Sequence, residues 1–235
     1  MKSKWHEIWN RRTATRDALT GDWQKIFLEL KRLNGFDLRE GGIPLSSLLA
    51  QYERTKDLLR LSAGQSVFEV GCGAGANLYL MQRDGIIVGG MDYSLSLVDT
   101  ARCVLPDARE LSCGAADAFD TTQTYDAVFA NSVFSYFPDT DYAHRVLTLM
   151  LEKSRGAIGL LDLHDREKKQ AFHDYSVATI PNYTERYKGL DKLFYSRTFF
   201  EDFAQRNGLR VAFPSIDVPG YWNTPFVFHC FMYRK

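Results

Sequence analysis

Val67-Phe68-Glu69-Val70-Gly71-Cys72-Gly73-Ala74-Gly75 reads as a buried strand that ends in an acidic residue and runs straight into glycines. A helix carrying Asn77 and Leu78 follows at once. Glycines are needed where the backbone turns sharply from strand to helix and where a ligand must lie against the main chain.

Outward from that stretch, the texture alternates. Short apolar runs recur at residues 86–91, 127–130 and 157–161, with a weaker candidate at 110–113. Amphipathic stretches separate them at 77–82, 95–104 and 142–153. Strands that are apolar throughout, alternating with helices, point to a parallel sheet covered on both faces. Further on, a helix is expected over 198–207, stopped by Gly208, and two strands over 209–216 and 226–233 form an antiparallel pair at the sheet's edge.

Upstream the pattern is helical. Trp5, Ile8 and Trp9 recur at helical spacing, as do Trp23, Ile26, Phe27 and Leu30, and a third helix is expected from Pro44 to Leu61. Gly35, Gly41 and Gly42 punctuate the joins. The fold class is therefore α/β: a seven-stranded, mostly parallel sheet flanked by helices, with an antiparallel C-terminal strand pair. Residues 1–44 form a helical cap, and 45–235 the main domain, with a lid insert at about 165–197.

Carboxylates sit at the strand tips. The second strand ends in Asp92, followed by Tyr93, where a carboxylate can accept both hydroxyls of a ribose. After the weak third strand comes Ala116-Asp117-Ala118-Phe119, a polar residue beside an aromatic, suited to the edge and face of an adenine. The fourth strand, Tyr125-Asp126-Ala127-Val128-Phe129-Ala130, leads into Asn131-Ser132-Val133-Phe134-Ser135-Tyr136.

At residues 45–233 the chain resembles the class I methyltransferases, Rossmann-like enzymes that use S-adenosylmethionine (SAM) and release S-adenosylhomocysteine (SAH). The family's acidic residue followed by G-x-G-x-G matches Glu69, Gly71, Gly73 and Gly75, with Cys72 and Asn77 inside the same motif. The resemblance implies a ribose contact at Asp92 and Tyr93, adenine contacts at Asp117, Ala118 and Phe119, and a substrate mouth beginning at Asn131. It implies methyl transfer to a hydroxyl or amino group of a small polar metabolite, such as a sugar, a phosphorylated or carboxylated compound or a natural-product intermediate. Residues 183–200 with Gly220-Tyr221-Trp222-Asn223 are loosely similar to bacterial methyltransferases of surface-saccharide and secondary-metabolite pathways.

Gly71-Cys72-Gly73-Ala74-Gly75-Ala76 also satisfies the dinucleotide pattern G-x-G-x-x-A, so an NAD(P) oxidoreductase is the rival reading. Glu69 discriminates. A dinucleotide brings a pyrophosphate to the helix N-terminus, and a carboxylate two residues before the glycines repels it. SAM carries an ammonium and a sulfonium, which carboxylates favour.

Composition narrows the partners. The 29 basic and 29 acidic residues cancel, so the excess charge of a polyanion binder is missing. The fourth strand is not followed by the Asn/Asp-Pro-Pro-Tyr or Phe motif of many base and glutamine methyltransferases, which argues against an RNA or protein substrate. Cys72, Cys103, Cys113 and Cys230 show no C-x-x-C spacing and read as reduced, mostly buried thiols. The polar start and the lack of a ~20-residue apolar run point to the cytoplasm, with neither nucleic acid nor membrane as partner.

Catalysis is expected beyond the carboxyl ends of the fourth and fifth strands. There Asp162-Leu163-His164-Asp165 is the one place in the mouth region where a histidine has carboxylate neighbours. His164 is the candidate general base, oriented by Asp162 or Asp165; the plainer alternative makes His164 a surface histidine and Asp165 a helix cap. No metal is expected. The acceptor is expected to meet Ser132, Tyr136, Arg186, Tyr187, Arg197, Tyr221 and Trp222, with Arg186, Lys188 or Arg197 holding an anionic group.

Overall fold

The computed structural model describes residues 4–36 and 42–235; Gly41, one of the expected joins, lies outside them. In chain order the elements are α1 (Lys4–Asn10), α2 (Trp23–Leu33), α3 (Leu45–Leu58), β1 (Ser66–Val70), α4 (Ala76–Arg83), β2 (Ile87–Asp92), α5 (Leu95–Val104) and β3 (Glu110–Cys113). Then come β4 (Tyr125–Asn131), α6 (Thr140–Lys153), β5 (Ser154–His164), α7 (Lys169–Thr179), α8 (Tyr183–Arg186), α9 (Arg197–Arg206), β6 (Leu209–Ala212) and β7 (Val227–Arg234).

The seven strands form one sheet in the order β3-β2-β1-β4-β5-β7-β6. The first five run parallel, and β7 pairs antiparallel with both β5 and β6. The α/β class and the antiparallel C-terminal pair expected from the sequence are both found, with β7 inside the sheet and β6 outermost. Strand order reverses between β1 and β4, which opens a crevice beyond their carboxyl ends.

Side chains alternate across the strands, so β1 feeds two cores. Val67 packs with Leu78, Met81 and Val88 under α2–α5, while Phe68 packs with Val128, Ile158 and Val146 under α6 and α9. Gly75 lies in the left-handed region (φ 82°) as the residue that opens α4, a conformation open to glycine at little cost.

The N-terminal helices are tied to the rest of the chain. Ser94 Oγ donates to Trp9 O, and Ser96 Oγ to Asn10 O and Arg12 O, at and just beyond the end of α1.

Several expectations need correction. The third helix stops at Leu58, because Leu59 and then left-handed Arg60 (φ 58°) turn the chain. The strand expected over 209–216 ends at Ala212, which pairs with Phe231 of β7. Asp162 and His164, expected after the fifth strand, lie inside β5. Of the four cysteines only Cys72 and Cys230 are buried; Cys103 and Cys113 are exposed. Among the described residues no helix is long and apolar enough to cross a membrane.

Candidate functional site

A cavity of about 770 Å³ opens at the carboxyl ends of β1, β2 and β4, within the ~300–1,000 Å³ of small-ligand sites. Glu69, Gly71, Gly73 and Asp92 line one side, and Asn131, Ser132 and Tyr136 another. Trp5, His6 and Trp9 of α1 and Asn34 and Phe36 beyond α2 also line it, so the cap is part of its wall. The edges of Trp5 and Trp9 meet the Tyr136 ring at 4.8 and 5.8 Å.

Glu69 anchors a buried polar chain. Asn77 Nδ2 donates to Glu69 Oε1 at 2.6 Å, and Lys31 Nζ donates to Asn77 Oδ1 at 2.9 Å. Burial pushes the Glu69 carboxyl up and the Lys31 ammonium down from their ordinary values, each opposed by the attraction between them. Glu69 Oε2 is buried and has no hydrogen-bond partner among the described residues. A buried carboxylate oxygen without a donor is costly unless a ligand supplies one.

The glycine loop is shaped around Asp92 and Asn34. Asp92 Oδ2 accepts from Gly73 N at 2.9 Å and Oδ1 from Ser94 N at 2.8 Å. Burial pushes Asp92 up to about 6 against the pull of those amides. From the cap, Asn34 Oδ1 accepts from Ala74 N at 2.7 Å while its Nδ2 donates to Cys72 O at 3.2 Å. Gly73 has φ 55°, and a Cβ there would run into the Asn34 side chain.

At the mouth, β5 carries an extra residue against β7: Leu160 faces Cys230 while Leu163 faces Phe228. Asp162 is the residue displaced, with φ 56°, and its N–H donates to His229 Nδ1 at 3.2 Å instead of a strand carbonyl. Such bulges re-aim side chains beside active sites. Here the Asp162 carboxylate accepts from Ser132 Oγ at 2.6 Å and Tyr221 Oη at 3.0 Å, both through Oδ2. Oδ1 is buried without a hydrogen-bond partner among the described residues.

His164 sits elsewhere than expected. It is 1% exposed, its ring 4.9 and 5.2 Å from the Phe172 and Phe194 rings. Neither aspartate orients it; Asn223 Nδ2 lies 3.1 Å from its Nε2. Asp165 instead caps the 3₁₀ turn at Glu167 N and binds Arg197 at 3.0 Å. Burial first, and then Lys192, lower the His164 pKa to about 2. A ring so hard to protonate is a poor general base.

Other expected contacts also part company. Phe119 turns into the core against Phe68, 5.5 Å ring to ring, and Asp117 faces Arg145 at 3.4 Å. Gly114, Ala115 and Ala116 line the cavity there, rather than Asp117, Ala118 or Phe119. Tyr93 does line it; Cys72 is buried under Gly90, and Gly75 packs on Leu105. Arg197 is held by Asp165 and lies over the Phe228 ring. Arg186 and Lys188 are exposed, Tyr187 packs on Tyr183, and Trp222 stacks on Tyr175 at 5.7 Å. Among the described residues, no three His, Cys, Asp or Glu side chains converge as metal ligands do.

Lys31, Asn34 and Lys192 escaped the sequence reading. A signal existed for the first: Lys31 falls one helical repeat after Phe27, on the buried stripe of α2.

Residues 68–154 match the family described as "Methyltransferase domain". That stretch runs from β1, through the glycine loop and Asp92, to the end of α6. Enzyme class, family and cofactor expected from the glycine loop, a class I methyltransferase using SAM, agree with that domain. No curated protein matches the chain by sequence. Among solved structures, magnesium protoporphyrin IX methyltransferase (ChlM) from Synechocystis PCC 6803 with bound SAM has 14% identity and a TM-score of 0.58, over 99% of this chain and 92% of that one. CalS10, an amino pentose methyltransferase from Micromonospora echinaspora, has 14% identity and a TM-score of 0.60, over 92% and 99%. The small RNA methyltransferase HEN1 has 18% identity and a TM-score of 0.55, over 81% of this chain and 25% of that one. At these identities the methyltransferase domain shares its fold with enzymes of different acceptors.

Proposed function

We propose that this methyltransferase acts on a hydroxyl or amino group of a small polar metabolite held inside the cavity. The observation that carries the reading is the cavity itself: about 770 Å³, with Glu69, whose Oε2 has no partner among the described residues, in its wall and α1 and α2 of the cap beside it. A concave site of that size suits a nucleoside with a small partner.

Glu69 Oε2 is placed to accept from the ammonium of SAM, with Asn77 and Lys31 holding the carboxylate in position. Gly71 and Gly73 let the ligand approach the main chain. Asp92 is placed for the ribose, and Tyr93, Leu97 and the Gly114–Ala116 backbone for the adenine. When bound, SAM supplies an activated methyl group on a sulfonium. The protein then contributes alignment, worth as much as ~7–11 kcal/mol when geometry is near-attack.

Asn131, Ser132 and Tyr136 form the acceptor side of the cavity. Asp162 behind them replaces His164 as the group that takes the acceptor's proton, with Ser132 and Tyr221 positioning its carboxylate. Residues 1–44 act as a cap over the cofactor, and the insert at 165–197 adds the outer wall through Gly189 and Asp191.

The test is incubation of the protein with methyl-labelled SAM and a metabolite extract. A small molecule heavier by one methylene unit is the expected product. Label appearing only in RNA or protein would overturn the acceptor class.

A further inference from the structure

Lys192 lies in the insert between α8 and α9. Its Nζ lies 5.4 Å from the centroid of Tyr136, a cavity wall, and 5.5 Å from that of Phe172. It makes no hydrogen bond or ion pair among the described residues. Burial lowers its pKa to about 8, against the attraction of Asp162.

The surroundings share this lack of partners. His164 Nδ1, Asn223 Oδ1, Thr224 Oγ1 and Asp162 Oδ1 are all buried without a hydrogen bond among the described residues. They come from the tip of β5 and the 221–224 turn beside it. An Asn223 amide donating to His164 Nε2 leaves the ring's proton on Nδ1. The spot thus offers two idle donors, the ammonium and Nδ1–H. Buried polar atoms left idle in such number at one place mark a site awaiting a ligand.

We infer that Lys192, with His164 beside it, binds an anionic oxygen group, a carboxylate or a phosphate, on the methyl acceptor. The anion enters past Tyr136 toward Phe172, and this assignment rests on the small-metabolite reading above. Arg186, Lys188 and Arg197, the cations expected for this task, are exposed or engaged with Asp165. A charge-assisted bond from the ammonium to an anionic oxygen is stronger than one to a neutral group. Asp162, the facing carboxylate, has its Oδ2 occupied by Ser132 and Tyr221.

Calorimetric titration of the full chain, free and with SAH, tests this. Benzoate and phenyl phosphate serve as anionic probes, benzamide and benzyl alcohol as their uncharged counterparts. At least one anion is expected to bind about tenfold or more tighter than its counterpart, and the better of the two identifies the group. Lys192→Met is expected to abolish that preference while SAH affinity holds, and Lys192→Arg to keep most of it. Equal binding of charged and uncharged probes, or a preference that survives Lys192→Met, overturns the assignment. If SAH fails to bind, the methyltransferase reading fails instead, and the anion preference is still read on the free chain.

Discussion

Ser132 Oγ donates to Asp162 Oδ2 at 2.6 Å, and both residues hold left-handed backbones, φ 59° and 56°. Neither is glycine, and each such conformation costs about 1–3 kcal/mol. They stand at the tips of adjacent parallel strands, β4 and β5, where the acceptor side of the cavity begins. The hydrogen bond joins two strained residues, so the sheet holds a carboxylate at a position that regular strand geometry does not reach.

Asp162→Asn keeps the shape and the tolerance for positive φ but removes the charge. Turnover is expected to fall by ~10²–10⁴, with SAM affinity unchanged, as measured by steady-state rates beside calorimetry. Unaltered turnover would remove Asp162 from the chemistry.

His164 is expected to govern stability rather than rate. Its folded pKa, about 2, lies far below the unfolded value of about 6.5. Below pH 6.5 the unfolded chain takes up a proton that the folded chain refuses, so stability falls as pH falls. From pH 6.5 to 5 this site alone costs about 2 kcal/mol. His229, also lowered by burial, adds in the same direction. Denaturant melts of His164→Gln should therefore show a shallower loss between pH 7 and 5 than wild type. A rate profile rising through a His164 pKa near 6.5 would restore it as the base.

Asn34 clamps the cap to the glycine loop through two hydrogen bonds. Asn34→Ala leaves Ala74 N without its acceptor, at a cost of about 1–3 kcal/mol. Lower thermal stability and weaker SAM binding are expected together. An effect on neither would mean that the cap does not hold the loop.

The sheet was legible because strand burial and glycine spacing are local properties. β1, β3 and α5 fall at the residues that the apolar pattern gives. Glu69 and Asp92 were legible for the same reason: the end of a parallel strand fixes where the next side chain goes. Asp117 and Phe119 do not line the cavity, and a polar–aromatic pair in a turn looks the same in sequence whichever way it faces. Only packing on Phe68 decides that the ring turns inward. His164 misled because the bulge at Asp162 breaks the alternation that would put both side chains on one face, and Asn223 arrives from 59 residues on. Lys31, Asn34 and Lys192 reach the site through the cap and the insert, by contacts that no strand-tip pattern contains.

The most direct test of the account is calorimetric titration of wild-type protein and Glu69→Gln with SAM and, separately, with NADH. Wild type is expected to take up one SAM per chain and no NADH, and Glu69→Gln to bind SAM at least about tenfold more weakly, a loss of about 1.4 kcal/mol or more. Uptake of NADH with indifference to SAM, or SAM binding untouched by the loss of that carboxylate, would contradict it.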